Sequence, residues 1–186
     1  MNFKKIFCGN ERERMPDIAF RMMSFIFKIC DIFSSVDKRI DYFGIKEGFT
    51  VIDYGCGPGR YLKRASQLVG GRGRVYAADI HKLAIESVKK RIEKYNLKNV
   101  EPILTKGYFC SIDEHAADVI YALDMFHMIK EPDLFLKELH RLLKRGGYLI
   151  IEDGHQPRNK TKSKINNSKI WKISEETKGH LKCKPL

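Results

Sequence analysis

One stretch constrains this chain more than any other: Val51-Ile-Asp-Tyr-Gly-Cys-Gly-Pro-Gly-Arg60. The apolar run from Phe49 to Ile52 carries the β-branched residues of a buried parallel strand, and an acid, Asp53, follows it. Three glycines come next at alternate positions, Gly55, Gly57 and Gly59. Glycine tolerates positive φ and lets a ligand approach the backbone. Beyond Arg60 the pattern turns helical, with Tyr61, Leu62, Ala65 and Leu68 sharing one face. A strand, a glycine turn and a helix start in that order form a nucleotide-binding crevice at a strand's carboxyl end. A plain strand-to-helix turn is the alternative, but it needs neither three alternating glycines nor the acid before them. The dinucleotide fingerprint G-x-G-x-x-G fails, because Arg60 stands where the glycine that packs helix on strand would be.

A second acid, Asp79, ends the next strand, Arg74 to Ile80, and lies 20 residues beyond Gly59. An acid there can accept hydrogen bonds from both ribose hydroxyls of a nucleoside, or simply cap the helix that follows. Taken with Asp79, the arrangement D-x-G-x-G-x-G over Asp53–Gly59 resembles motif I of the class I S-adenosylmethionine-dependent methyltransferases. The resemblance covers about residues 48–154 and implies S-adenosylmethionine as cofactor and S-adenosylhomocysteine as product. It also implies a glycine loop under the methionine part of the cofactor, formed by Asp53, Tyr54, Gly55, Cys56, Gly57 and Gly59, with Asp79 on the ribose and Ile80 as a wall to the adenine. After the third strand, Val100 to Thr105, the family often places an acid near the adenine amino group. Here Lys106 stands, followed by Gly107; a lysine cannot accept a hydrogen bond, although a backbone group can take that part. Ala117 to Asp124 resembles motif IV of the small-molecule branch, in which Asp118 opens the strand and Ala122 and Leu123 reach the cofactor. The pattern E-L-x-R-x-L-K-x-G-G-x-L-x-I, from Glu138 to Ile151, resembles methyltransferases of ubiquinone and menaquinone biosynthesis.

The fold expected is α/β: a Rossmann-like three-layer sandwich on a mostly parallel seven-stranded sheet, closed by a C-terminal antiparallel hairpin. Pro102 places the third strand at an edge, where a missing N–H is tolerated. Residues 46–186 form the methyltransferase domain and residues 1–45 a helical extension. Met1 to Arg14 is polar and frayed; a helix runs from Asp17 and a short second one from Val36 to Phe43. In the first helix Ala19, Met22, Met23, Ile26, Ile29, Cys30 and Phe33 share a face, while Ile18, Phe20, Phe25, Phe27 and Ile32 fall off it, so it is apolar on more than one side. It can pack on the domain edge, form a lid that completes an apolar substrate pocket, or lie on a membrane surface, which Arg21 and Lys28 permit. A helix over Lys82 to Tyr95 presents Leu83, Ile85, Val88 and Ile92 and stops at Asn96. Residues 108–116 are too few for a crossover helix. The helix Asp133 to Leu143 is followed by Lys144-Arg-Gly-Gly147, read as a basic C-terminus with a glycine stop, and by a fifth strand, Tyr148 to Glu152. Gln156 to Ile170 is a loop or short helix. Trp171 to Glu175 and His180 to Lys184 form the closing hairpin.

Charge and cysteine usage bound the function. Of the net +12, the segment from Gln156 to Leu186 supplies +7, with nine Lys/Arg against Glu175 and Glu176. Such a segment binds nucleic-acid phosphate, an anionic surface or an acidic substrate, or is a solvated face. The five cysteines (Cys8, Cys30, Cys56, Cys110, Cys183) are scattered without a C-x-x-C pair, which favours a reducing compartment and no metal site. With no signal-peptide pattern and no run of apolar residues long enough to span a bilayer, the expected location is cytoplasmic. Methyl transfer needs a base only where the acceptor must lose a proton. Candidates are His127 and His155, with Asp124 and Asp153 also at the crevice mouth. Tyr121-Ala-Leu-Asp124 holds neither the D/N/S-P-P-aromatic signature of base-amine methylation nor a Pro-Cys nucleophile. A small-molecule acceptor, apolar or quinone-like, is expected. The alternatives are a nucleic-acid methyltransferase using the basic segment, which lacks interleaved aromatics for stacking, and a binding module without catalysis.

Overall fold

The computed structural model describes residues 14–33 and 36–186. The polar start over 1–13, with Cys8, and the side chains of Ile32 and Phe33 lie outside the described residues. The strands are β1 (Thr50–Tyr54), β2 (Arg74–Asp79), β3 (Val100–Leu104), β4 (Ala117–Ala122), β5 (Leu143–Ile151), β6 (Trp171–Glu176) and β7 (Leu181–Pro185). They form one sheet in the order β3-β2-β1-β4-β5-β7-β6. β1 to β5 are parallel, and β7 runs antiparallel to both of its neighbours. The Rossmann-like sandwich with its C-terminal hairpin is therefore the fold observed, and β3 with Pro102 is an edge.

Both faces of the sheet are buried, and strand alternation divides the core in two. Ile52, Ile120, Ala122, Leu149 and Ile151 point to one layer, where α4 (Pro132–Leu142) and α5 (Arg158–Asn167) cover them with Phe135, Leu136, Leu139 and Ile165. Val51, Val75, Val119, Tyr121 and Ile150 point to the other, under α2 (Leu62–Val69), α3 (Lys82–Tyr95) and the 3₁₀ helix Val36–Phe43. Each Val, Leu or Ile fully buried in this way contributes about 1.5–3 kcal/mol. In α3 the small Ala84, rather than Leu83, takes the buried place beside Ile85 and Val88. Asn96 ends that helix in the left-handed conformation, φ 50°.

The stretch around Lys144 differs from the expectation. Helix α4 stops at Leu142, and β5 starts at once, so Lys144-Arg-Gly-Gly147 belongs to the strand and not to a glycine-capped helix end. Between the pairs Ala117–Leu143 and Val119–Tyr148 the register of the ladder shifts, as at a bulge. Gly147 is needed there for close approach: a Cβ would lie 2.8 Å from the Asp118 carbonyl oxygen. Asp118 sits one residue into β4 and bridges the sheet, accepting from the Thr50 N–H (2.8 Å) and from Lys144 Nζ (2.9 Å).

The loop 108–116 does without a crossover helix because α4 pins it. Glu138, buried on α4, accepts from the Cys110 N–H (2.8 Å) and from Arg141 (2.7 and 2.9 Å). Arg141 in turn donates to the carbonyls of Cys110 (2.9 Å) and Ile112 (3.1 Å). The glutamate and arginine of the E-L-x-R pattern are thus structural clamps. A bidentate ion pair of this kind satisfies loop backbone that no secondary structure satisfies.

Helix α1 (Asp17–Phe33) lies across the carboxyl ends of the central strands. The face read from its spacing is split by the packing. Ala19 and Phe20 are buried and Met23 and Phe27 partly so, whereas Met22, Ile26 and Ile29 point to solvent with Ile18 and Phe25.

Candidate functional site

A cavity opens at the carboxyl ends of β1, β2 and β4, beneath α1. Its floor is the glycine loop, with Gly55, Gly57 and Gly59 at φ +79°, +51° and +77°. Two of them show why the residue type matters. Gly59 packs so closely that a Cβ would lie 2.8 Å from Leu62, which with its positive φ excludes larger residues. Gly57 lines the cavity, and a Cβ there would meet no atom within 4 Å: its lost side chain leaves room rather than avoiding a clash.

Asp79, at the end of β2, fixes the loop. Its Oδ2 accepts from the Gly57 N–H and its Oδ1 from the His81 N–H, both at 2.8 Å. Only 9 % exposed, it still forms part of the cavity wall. Burial pushes its carboxyl up, while the N–H groups of His81, Gly57 and Ile80 pull it back. A carboxylate offers about four lone-pair positions, so these N–H groups leave acceptor capacity for a ligand. Asp79 does not cap α3. That part falls to His81, whose Nδ1 accepts from the Leu83 N–H at 3.1 Å.

Of the residues read as cofactor contacts, Tyr54, Gly55, Cys56, Gly57, Asp79, Ile80, Gly107 and Leu123 line the cavity. The Cys56 thiol is held well up by burial, then by the nearby Asp79 and Asp53 charges, so it is an inert wall. Gly59 supports the loop from behind. Like Gly59, Asp53 and Lys106 lie off the cavity wall. Asp53 is 2 % exposed and lies under the loop, off the cavity wall. Burial pushes its carboxyl up to about 8; the Tyr121 hydroxyl beside it works against this and the Asp79 charge adds to it. Lys106 is exposed in a tight turn, its N–H donating to the Phe109 carbonyl at 3.0 Å, and it is the neighbours Thr105, Gly107 and Tyr108 that face the cavity.

The base candidates separate in the same way. After β4 the chain turns through a short 3₁₀ segment, Phe126–Met128, which brings Asp124, Met125 and Met128 to the cavity and carries His127 away from it. His127 packs edge-on against His155, with ring centroids 4.9 Å apart, and burial lowers its pKa. Neither histidine lines the cavity. Asp153 pairs with Arg158 at 2.7 Å. Asp124 alone of the four lines the cavity, at φ 53° in the left-handed region. Sequence reasoning passed over Glu152, 4 % exposed at the end of β5. Burial pushes it up to about 7 against the pull of Arg39, whose guanidinium lies 2.5 Å away and ties the 3₁₀ helix Val36–Phe43 to the sheet.

The roof is supplied by α1 and the residues before it: Met15, Phe20, Met23 and Phe27 face inward. Phe20 stacks on His81 with centroids 4.4 Å apart. Arg60 is the latch: its guanidinium lies 4.1 Å over the Phe27 ring, and its Nε donates to Asp31 at 3.0 Å. The residue that breaks the dinucleotide fingerprint therefore fastens the roof to the floor.

The basic C-terminal segment is partly committed to internal contacts. Lys162 pairs with Glu176 (2.7 Å), Lys164 donates to the Phe126 carbonyl (3.1 Å), and Lys182 sits 4.0 Å over the Tyr148 ring.

Comparison with known proteins agrees with this geometry. A family model described as a methyltransferase domain matches residues 45–182. The ubiquinone/menaquinone biosynthesis C-methyltransferase UbiE of Hahella chejuensis is 26% identical over 126 residues, 67% of this chain and 51% of that protein. The chain thus spans about half the length of the curated relatives it matches. A crystal structure of a SAM-dependent methyltransferase from Aquifex aeolicus is 28% identical, with a TM-score of 0.69 over 79% of this chain and 86% of that one. Coclaurine N-methyltransferase, solved with N-methylheliamine and S-adenosylhomocysteine, is 25% identical with a TM-score of 0.56, over 63% of this chain and 34% of its own.

Proposed function

The chain belongs to the class I S-adenosylmethionine-dependent methyltransferase family, and on that premise we propose that it transfers a methyl group from S-adenosylmethionine to an apolar small molecule. One observation carries the reading: Asp79 and Gly57, joined by a hydrogen bond, face one cavity, the first with lone pairs to spare and the second with open space beside it.

These residues fit an adenosyl cofactor. Asp79 would accept from the ribose hydroxyls and Ile80 would flank the adenine. The backbone of Gly55 to Gly57 leaves room for the methionine part. When bound, S-adenosylmethionine supplies a sulfonium whose methyl group is already activated, so the protein has chiefly to position the partners and exclude water. Exclusion falls to Phe20, Met23 and Phe27 above, and to Met125 and Met128 at the end of β4. This apolar, methionine-rich wall supports an acceptor bound by shape and dispersion. The UbiE relatives support a quinone-like ring as its class. Where the acceptor must lose a proton, Asp124 is the group at the cavity to take it.

Calorimetric titration with S-adenosylmethionine, S-adenosylhomocysteine and NAD tests the cofactor. Micromolar affinity for the two sulfur nucleosides is expected, weakened at least about 100-fold in Asp79→Ala, since hydrogen bonds to a charged acceptor contribute about 1.5–3 kcal/mol each. Binding of NAD alone would overturn the reading. Binding of S-adenosylmethionine with no transfer of labelled methyl to any quinone or lipid extract would leave a binding module without catalysis.

A further inference from the structure

The outer face of α1 is a second apolar surface, opposite the one that roofs the cavity. Ile18, Met22, Phe25, Ile26 and Ile29 are 43–72 % exposed. At 100° per residue they fall within an arc of about 100°, one continuous stripe along the helix. Arg21 and Lys28, both exposed, lie together along one flank of that stripe. The two acids of α1 already face inward or local partners, Asp31 with Arg60 and Asp17 with Arg14 at 2.6 Å. An apolar stripe edged by cations is the pattern of a helix lying in a lipid interface, where long basic side chains reach the headgroups while the apolar ones sink below them.

We propose that α1 docks on an anionic lipid surface through Ile18, Met22, Phe25, Ile26 and Ile29, with Arg21 and Lys28 against the headgroups. Charge selects this occupant over a second copy of the chain. At net +12 two copies repel each other, whereas a negatively charged bilayer attracts the same protein by about 1 kcal/mol per basic residue near its surface. Among the described residues no helix is long and apolar enough to cross a membrane, so the contact is interfacial. Because the inner face of the same helix roofs the cavity through Phe20, Met23 and Phe27, docking would set the cavity mouth at the lipid boundary.

Vesicle flotation of the full chain tests this and needs neither cofactor nor acceptor, so its outcome is independent of the catalytic reading. The protein is expected to float with phosphatidylcholine vesicles containing about 30 mol% phosphatidylglycerol, and to be released by about 0.5 M salt. The triple variant Met22→Ser/Phe25→Ser/Ile29→Ser should bind at least about 100-fold more weakly, given the apolar area withdrawn from lipid. Arg21→Glu/Lys28→Glu should weaken binding more than about 20-fold. Thermal melting checks that each variant folds, and if the triple variant does not, the charge-reversal pair and the salt titration decide. No flotation with either vesicle overturns the proposal, as does equal, salt-insensitive flotation with pure phosphatidylcholine. A dimer in sedimentation velocity that the triple variant dissolves, without vesicle binding, would assign the stripe to a second copy instead.

Discussion

The floor and the roof of the cavity are built in opposite ways. The floor is backbone: Gly55, Gly57 and Gly59 hold a loop anchored by Asp79, which accepts from the N–H groups of Gly57 and His81 at 2.8 Å each, and by Arg91, which donates to the Pro58 carbonyl at 2.7 Å. The roof is side chain: Phe20, Met23 and Phe27, held by a ring stack on His81 and an arginine latch. A backbone floor admits little variation, because one Cβ at Gly59 already collides with Leu62. A roof of methionine and phenylalanine can repack around acceptors of different outline. On the proposed function, the part that would meet the cofactor is thus rigid, and the part that would meet the acceptor is soft.

Substitutions can break that division or sharpen it. The largest effect belongs to Asp79→Ala, whose cofactor loss is set out above. Next is a residue buried beneath the floor, off the cavity wall. Asp53, carried up to about 8 by burial, holds its proton more tightly folded than unfolded. Its contribution to stability is therefore full below about pH 4 and is lost as pH rises through about 8, a change on the order of a few kcal/mol. Asp53→Asn should flatten the fall of melting temperature between about pH 5 and pH 9. A residual slope of the same sign should remain from Glu152, lost as pH rises through about 7. A variant melting curve as pH-dependent as that of the parent would show that Asp53 is not the titrating group.

Arg60→Ala tests the latch. Hydrogen exchange should speed up across residues 17–31 by about 10-fold, for loss of a partly buried ion pair and ring contact worth about 1–2 kcal/mol. The amides of α2 should keep their protection. Loss of protection in both helices would mean that Arg60 supports the floor as much as the roof. The smallest effect is expected from Met23→Ala. Once an acceptor is in hand, its KM should rise a few-fold while S-adenosylhomocysteine affinity changes by less than about 3-fold, since the methionine meets only the apolar side. Equal effects on both would erase the distinction between floor and roof.

What sequence alone revealed follows the same line. The glycine loop, Asp79, the edge position of β3 and the closing hairpin are written in short-range patterns, and each stands where expected. The misplacements come from contacts between distant residues or from turns of unusual geometry. His127 sits one position from Met128 and two from Met125, both cavity residues, and only the 3₁₀ turn at Phe126–Met128 decides which of them face inward. Lys106 fails similarly, because the chain turns back on itself between Lys106 and Phe109. Helix α1 showed its excess of apolar residues but not their division into faces. That depended on Phe20 meeting His81 and Phe27 meeting Arg60, partners 61 and 33 residues away in sequence. Glu152 looked like an ordinary strand end until Arg39 came against it.

The place of β7 between β5 and β6 has a consequence for how the chain is made. Synthesis delivers β6 before its only partner, so Trp171–Glu176 leaves the ribosome with no ladder to join. Until Leu181 and Cys183, both fully buried at the end, arrive to fill the slot, the free edge of β5 stays open to any passing strand. β7 is thus a keystone of the sheet, and the growing chain is most exposed to mispairing before that strand arrives.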